Sequence, residues 1–187
     1  MRKINVGILL IVVLFSVFEL TIFQKENSFQ QTTKDVVPRS ATAENERIVT
    51  LVSRVLDGDT IAFEGNGKEE KIRLIGIDAP ESVDPRRPVQ CFGAESSRRM
   101  HELLDGRTIT VTTDPTQDRY DKYGRLLAYV FRDDGLFVNK AMLEEGYAYE
   151  YTYITPYKEQ PAFIAAERLA HDNAAGLWAS TTCNGRR

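Results

Sequence analysis

Short runs of β-branched and apolar residues, separated by turn residues, constrain the fold of this chain more than any other feature. The clearest runs are Arg47 to Leu56, Thr60 to Phe63 and Lys71 to Ile77, and similar runs occupy Thr108 to Thr113 and Leu126 to Arg132. Side chains of these types favour extended backbone, and runs of this length predict strands. We therefore expect a core built on five short strands.

Three segments with helical periodicity lie between and after these runs. The first is Ala94 to Leu104, the second is a short segment at Val138 to Met142, and the third is Phe163 to Ala170, each followed by a glycine. Apolar residues at this spacing, with a glycine behind them, predict amphipathic helices. Five strands with one interposed and two trailing helices predict an α+β protein, namely a five-stranded Greek-key β-barrel of the oligonucleotide-binding (OB) type with about three helices.

The N-terminal segment is typical of an export signal. Arg2 and Lys3 precede an uncharged, mostly apolar run from Val6 to Phe18. This order predicts a signal peptide or a signal anchor in residues 1–23, although a buried N-terminal helix is the alternative. Residues 24–45 are polar and predict a flexible linker, which leaves residues 46–187 as the folded domain. We expect a monomer that is secreted or membrane-anchored on the extracytoplasmic side, touching the membrane only through its anchor.

Charge and cysteine content exclude several classes of protein. The chain has 24 Lys and Arg against 27 Asp and Glu, so it is not a uniformly basic nucleic-acid-binding protein. Two Cys and two His are too few for a zinc finger or an iron–sulfur cluster, so a metal would need oxygen ligands. In an oxidising compartment the even count predicts a disulfide between Cys91 and Cys183, the alternative being two unpaired thiols.

Acidic residues occupy two of the predicted turns at strand ends. Asp57 and Asp59 lie at the junction of the first two strands, and Asp78 and Glu81 follow the third. Adjacent strand ends would bring the four carboxylates into one pocket, where their repulsion would raise their pKa values unless a cation were bound. Calcium suits such a site because it accepts carboxylates, carbonyls and waters in flexible geometry. The alternative is that each segment is an ordinary turn.

Two arginines lie on or beside predicted strands. Arg73 is within the third strand, and Arg125 directly precedes the fifth. An arginine in an apolar strand requires an anionic partner, either a structural carboxylate or a phosphate. Beside a cation site a phosphate is the sharper hypothesis, because a guanidinium binds phosphate oxygens through two parallel hydrogen bonds.

These features together resemble the staphylococcal nuclease (thermonuclease) family, over about residues 46 to 180. The resemblance rests on three motifs in order, with two weaker matches after them: VLDGDT at Val55 to Thr60, IRLIGIDAPE at Ile72 to Glu81, DKYGRLLAYV at Asp121 to Val130, VNKAMLEEGYA at Val138 to Ala148, and GLW at Gly176 to Trp178. It implies a calcium-dependent phosphodiesterase that cleaves DNA and RNA to 3′-phosphomononucleotides and oligonucleotides on an OB-type barrel.

The resemblance also implies the residues of a calcium site. Asp59 and Asp78 match the side-chain calcium ligands, and the backbone carbonyl of Ala79 matches a third ligand. Asp57 matches an acid that lies near the metal without binding it directly.

Further matches imply catalytic and substrate-binding roles. Arg73 and Arg125 match phosphate-binding arginines, and Glu81 matches the carboxylate that orients or deprotonates the attacking water. Four more residues match or lie near positions that contact the nucleotide: Lys122, Tyr123, Tyr151 and Tyr153.

The register of the tyrosine-rich segment between Tyr147 and Tyr157 is open. If the segment is extended, alternate tyrosines share one face, which would suit stacking with unpaired bases in single-stranded or denatured DNA and RNA. A half-buried packing strip is the alternative. A non-catalytic nucleic-acid-binding OB module at the cell surface is the alternative for the whole protein, but such a module would not need the two aspartates, two arginines and glutamate together.

Overall fold

The computed structural model describes residues 47–65, 67–82 and 88–186. The predicted signal segment, residues 1–23, and the predicted linker, residues 24–45, lie outside the described residues. Within the described part of the chain, no helix combines the length and apolar character needed to cross a bilayer.

Five strands close into a barrel, and two short strands pair beside it. The strands among the described residues are β1 (Arg47–Val55), β2 (Thr60–Gly65), β3 (Lys68–Leu74), β4 (Ile77–Asp78), β5 (Thr108–Thr112), β6 (Leu126–Arg132) and β7 (Tyr149–Glu150). The barrel order is β1-β2-β3-β6-β5, in which β3 and β6 run parallel and the other neighbours run antiparallel. The predicted five-stranded OB-type barrel is therefore confirmed.

The predicted end of the third strand is wrong, because the strand ends at Leu74 and not at Ile77. A turn separates β3 from β4, and β4 leaves the barrel to pair with β7. Gly76 permits this turn because its φ is +76° and a Cβ there would lie 2.6 Å from the ring of Tyr157. The turn carries Asp78 out of the barrel wall, where it pairs with Tyr149.

Three α-helices within the described residues cover the barrel, as predicted: α1 (Gly93–Leu104), α2 (Val138–Glu144) and α3 (Gln160–Asp172). A 3₁₀ turn at Gly176–Trp178 follows them. The buried side chains of the helices join those of the barrel in one core. Asn139 of α2 is fully buried and is bonded to the barrel: its Oδ1 accepts from Val130 N, and its Nδ2 donates to Ile75 O, both at 2.9 Å.

A disulfide joins Cys91, just before α1, to Cys183 in the C-terminal tail. This confirms the predicted pairing. Cys183 belongs to a second buried cluster with Tyr149 and Leu177, against which Phe92 and Trp178 pack.

Candidate active site

The turn between β1 and β2 fixes Asp59. The backbone N–H groups of Leu56 and Asp57 both donate to Thr60 O, and the Asp57 carboxylate accepts from Asp59 N at 2.9 Å. Gly58 lies so close to the segment after β4 that an added Cβ would be 2.6 Å from the Cβ of Ala79. The close approach holds the two acidic turns against each other.

Asp59 and Asp78 converge on Arg73. The Arg73 Nη2 lies 3.1 Å from Asp59 Oδ2 and 3.3 Å from Asp78 Oδ1. Asp59 Oδ2 also accepts a hydrogen bond from Ala79 N at 2.9 Å. The structure therefore brings together the two acidic turns and one of the two arginines.

Arg73 also holds the backbone of the β3–β4 turn. Its Nη1 donates to the carbonyl of Leu74 at 2.9 Å and to that of Ile77 at 2.7 Å. The Arg73 side chain is 13% exposed, so these charge-assisted bonds lie in a partly desolvated place, where they are stronger than in water. The arginine thus has structural carboxylate and carbonyl partners in the described structure.

The acids of the first turn repel one another. The pKa of Asp57 is raised to about 7, first because burial penalises its charged form and then because Asp59 lies beside it. A cation near these carboxylates would offset this repulsion.

The oxygen donors at this place suit calcium, but the pocket of four carboxylates that the sequence predicted is reduced to two. Within the described part of the chain, no three His, Cys, Asp or Glu side chains group in a way that could hold a metal ion. Two of the four predicted acids, Asp59 and Asp78, reach one guanidinium nitrogen and so lie close together. Calcium accepts such a partial set because backbone carbonyls and waters complete its six to eight oxygen ligands.

Asp121 orients the second arginine. Its Oδ2 accepts from Arg125 Nε at 2.7 Å, and its Oδ1 accepts from the backbone N–H groups of Tyr123 and Arg125, each at 2.9 Å. Burial raises the pKa of Asp121, but the hydrogen bonds from Arg125 and Tyr123 outweigh burial, and the pKa is lowered. Asp121 therefore stays ionised and holds the arginine in place.

The aromatic ring of Tyr123 lies near two cations, one of which is this arginine. The Arg125 guanidinium is 5.4 Å from the ring centre of Tyr123, and Lys122 Nζ is 5.1 Å from the same centre. Tyr123 is 72% exposed. The predicted substrate-binding pair Lys122 and Tyr123 is thus next to Arg125.

Thr60 connects the two arginine groups. Its hydroxyl donates to Asp59 Oδ1 at 2.9 Å and accepts from Arg125 Nη1 at 3.3 Å. Neither Thr60 nor Asp121 is predicted as a site residue from the sequence. Each lies inside a motif, and the signal that could have found Asp121 is the Asp-x-x-Gly turn that precedes Arg125.

Glu81 has hydrogen bonds both at its backbone and at its carboxylate. Its N–H donates to Gln90 Oε1 at 2.7 Å, its carbonyl accepts from Gln90 N at 2.8 Å, and its carboxylate accepts from Ser82 N at 2.9 Å. The segment that carries Glu81 therefore folds back onto the residues just before α1.

The tyrosine-rich segment divides into a packed part and an exposed part. Tyr147 packs on Phe92 with ring centres 5.4 Å apart, and Tyr149 is buried. Tyr151 and Tyr153 are 38% and 67% exposed, and their ring centres lie 6.3 Å apart. Within this segment, Tyr149–Glu150 forms a strand. The packing strip describes the first part, and an exposed aromatic pair describes the second.

Comparisons with known proteins agree with this architecture. A family model described as "Staphylococcal nuclease homologue" matches residues 71–180. The thermonuclease of Staphylococcus intermedius is 32% identical over 95% of this chain and 99% of its own length. That of Staphylococcus hyicus is 32% identical over 96% and 100%, and endonuclease YncB of Bacillus subtilis is 34% identical over 83% and 73%. The chain therefore belongs to the staphylococcal nuclease family.

Proposed function

We propose that this chain hydrolyses phosphodiester bonds in DNA and RNA with calcium as its cofactor, and that it releases 3′-phosphomononucleotides and oligonucleotides. Family membership makes the chain a thermonuclease-like nuclease. The observation that carries the finer proposal is the connected group of two acids and two arginines. Asp59 contacts Arg73 directly and reaches Arg125 through the hydroxyl of Thr60.

Asp59, Asp78 and the carbonyl of Ala79 are the groups that would hold calcium. A bound calcium ion would polarise the phosphodiester and favour ionisation of the attacking water. Support comes from the meeting of both carboxylates at Arg73. Asp57 would contribute to the field around the ion without binding it.

Arg73 and Arg125 would bind the scissile phosphate and stabilise the charge that develops on it. Guanidinium groups suit this role because they stay charged and offer paired donors. Arg125 is held by Asp121 before substrate arrives, through its Nε, and its Nη1 reaches the hydroxyl of Thr60. This arrangement reduces the reorganisation needed in the transition state.

Glu81 would orient the attacking water and accept its proton. A carboxylate suits this work when it is ionised near neutral pH and lies beside the phosphate. Its place two residues after Ala79 supports the role, because the acidic turn that carries Asp78 also carries Glu81.

Unpaired nucleic acid is the substrate that the exposed aromatic residues favour. Tyr123, with Lys122 over its ring, and the pair Tyr151 and Tyr153 offer faces for base stacking, which requires bases that are not buried in a duplex. Because the net charge of the chain is −3, the protein as a whole does not attract phosphate, and binding of phosphate depends on local cations such as Lys122.

Export of the protein is part of the proposal. The Cys91–Cys183 disulfide is typical of proteins that work in an oxidising compartment, and the order of charged and apolar residues in residues 1–23 is that of a signal segment. We infer a monomer that is secreted or that remains anchored outside the cytoplasm.

Calcium titration of the full chain tests the proposal. Heat-denatured DNA and RNA are incubated with the protein in calcium, in magnesium and in excess chelator, and the products are analysed by mass spectrometry. Cleavage that requires calcium and leaves 3′-phosphates supports the proposal. Binding of the nucleic acid without calcium-dependent cleavage would instead support the non-catalytic module.

A further inference from the structure

We propose that the Cys91–Cys183 disulfide and Gln90 form a clamp that positions Glu81, so that nuclease activity depends on the oxidised state of the protein. The inference rests on the proposed role of Glu81 in hydrolysis. The clamp consists of three connected parts: the hydrogen bonds between Gln90 and Glu81, the contact of Gly93 with Glu81, and the disulfide that ties this region to the C-terminal tail.

Gln90 holds the Glu81 peptide on two sides. The Gln90 side-chain oxygen accepts from Glu81 N at 2.7 Å, and the Gln90 backbone N–H donates to Glu81 O at 2.8 Å. A pair of bonds to one residue fixes both its position and its rotation. Gln90 does not touch the proposed reacting atoms through these bonds, so we describe it as a positioning residue.

Gly93 closes the clamp from the side of α1. A Cβ on Gly93 would lie 2.5 Å from the Glu81 carbonyl oxygen and 3.2 Å from that of Pro80, so only glycine fits here. Gly93 N also donates to Gln90 O at 3.0 Å. Because Met100 and Leu104 anchor α1 in the core, the first turn of this helix is a fixed wall for the Glu81 peptide.

The disulfide ties the clamp to the buried cluster beside β7. Cys91 follows Gln90 directly, and its partner Cys183 is 92 residues further along the chain. Cys183 is buried in the cluster that contains Tyr149, and Tyr149 pairs with Asp78 in the β4–β7 sheet. The covalent bond therefore connects the residues beside Glu81 with the strand beside Asp78.

Reduction would release one end of this connection. A dithiol reductant supplies two electrons and two protons, the S–S bond breaks, and the two cysteines become thiols while the reductant becomes a cyclic disulfide. The Gln90–Glu81 bonds would remain possible, but the segment that carries Gln90 would no longer be tied to the tail. A displacement of a catalytic group by about 1 Å is enough to lower the rate about 100-fold.

The first test compares the full chain before and after treatment with dithiothreitol, at saturating calcium and well below the unfolding temperature. We expect kcat to fall about 10- to 100-fold and KM to change less than about threefold, since Glu81 acts in the chemical step. In Glu81→Gln, reduction should leave the residual rate unchanged. An unchanged wild-type kcat, or an equal loss in Glu81→Gln, would overturn the clamp.

A second measurement does not depend on activity. Hydrogen exchange at the Glu81 amide, which donates to Gln90, should become faster after reduction, while exchange at the buried β2 amides should stay slow. Gln90→Met removes the acceptor but keeps the disulfide and should show the same two changes, a lower kcat and faster exchange at Glu81. Gln90→Glu keeps an acceptor oxygen and should restore slow exchange. Slow exchange at Glu81 in reduced protein would refute the clamp.

Controls separate this proposal from general destabilisation and from the proposed function. Val111→Ala lowers stability in the barrel core, far from Glu81 in the chain, and should leave kcat within about twofold at the same temperature. A large fall of kcat in this variant would assign the effect of reduction to lost stability. Absence of any cleavage by the oxidised wild-type chain would overturn the proposed function itself, a result distinct from an active enzyme that ignores reduction.

Discussion

The candidate site has two halves that are held in different ways. In the barrel half, charged side chains and one hydroxyl beside the strands contact one another: Asp59, Thr60, Arg73, Asp78 and Arg125. In the loop half, Glu81 is bonded to Gln90 through its backbone, next to a disulfide. In the proposed mechanism the barrel half therefore contributes both to folding and to chemistry, whereas in the proposed clamp the loop half is fixed by a covalent bond.

This difference predicts how substitutions behave. In the barrel half, loss of one side chain leaves a partly buried charge without its partner, so activity and stability should fall together. In the loop half, the carboxylate of Glu81 can be changed while the backbone bonds to Gln90 remain, so activity should fall alone.

The largest expected effect is that of Glu81→Gln. We expect kcat to fall about 10²- to 10⁴-fold because the proton acceptor is lost. The free energy of unfolding, measured by urea titration, should change by no more than about 0.5 kcal/mol. A variant as active as the wild type would remove Glu81 from the mechanism, and a large loss of stability would erase the distinction between the halves.

The next effect is that of Arg73→Ala and Arg125→Ala. Each should lower kcat/KM about 10²- to 10³-fold, because each removes a charged donor from the transition state. Arg73→Ala should also cost about 1.5 to 3 kcal/mol in unfolding free energy, since Asp59 loses its charged partner in a place that is 11% exposed. The matched lysine variants keep the charge and lose the paired donors, so they should recover only part of the activity. Near-normal rates in both alanine variants would refute the phosphate-binding assignment.

A buried acid outside both halves sharpens the comparison. Asp114 is 3% exposed and accepts from Tyr129 Oη at 2.6 Å and from Lys158 N at 2.8 Å. Burial raises its pKa, but these hydrogen bonds outweigh burial, and the pKa is lowered. The stabilisation of the folded protein by the ionised Asp114 is therefore fully present above the unfolded-state pKa of about 3.9. It is lost as the pH falls through the lower folded-state pKa.

Asp114→Asn should accordingly destabilise the protein by about 1 to 3 kcal/mol at pH 7, and by progressively less as the pH approaches 3. Urea unfolding of both proteins across this pH range measures the difference. Activity at pH 7 and a temperature well below unfolding should stay within about twofold. A pH-independent loss of stability would show that the charge of Asp114 is not what stabilises the fold.

The smallest expected effect is that of Thr60→Val, which keeps the shape and removes the hydroxyl between Asp59 and Arg125. The hydroxyl makes two bonds, of which only the one to Arg125 touches a proposed phosphate-binding group; its loss is worth about 1 kcal/mol, so kcat/KM should fall about fivefold. Thr60→Ser keeps the hydroxyl and should retain most of the activity. Equal rates in the valine and wild-type proteins would show that the two arginine groups work independently.

Local patterns were enough to predict the barrel and the place of its acids. The β-branched runs predicted the strands, and the acidic turns at their ends predicted the approach of Asp59 and Asp78. The break between β3 and β4 could not be predicted, because the close packing that requires glycine at Gly76 comes from Tyr157 and Phe163, about 80 residues away. The strand propensities of residues Lys71 to Ile77 do not depend on that contact and so cannot reveal it.

Side-chain connections were the least predictable part of the site. The contacts of Thr60 with both Asp59 and Arg125 depend on the pairing of strands that are far apart in sequence. The division of the tyrosine-rich segment likewise depends on which rings meet Phe92 and the C-terminal cluster. Counting cysteines predicted the disulfide, but nothing in the count places Cys91 next to the residue that holds Glu81.

The wide spacing of the two cysteines sets the order of events when the protein is made. Cys183 lies 92 residues after Cys91, so the bond can form only after the segment between them has been synthesised and has met an oxidant. It follows from the proposed clamp that a copy retained in a reducing compartment would keep the segment beside Glu81 untied. Together with the proposed export, the clamp predicts a weakly active enzyme inside the producing cell and a fully active one outside it.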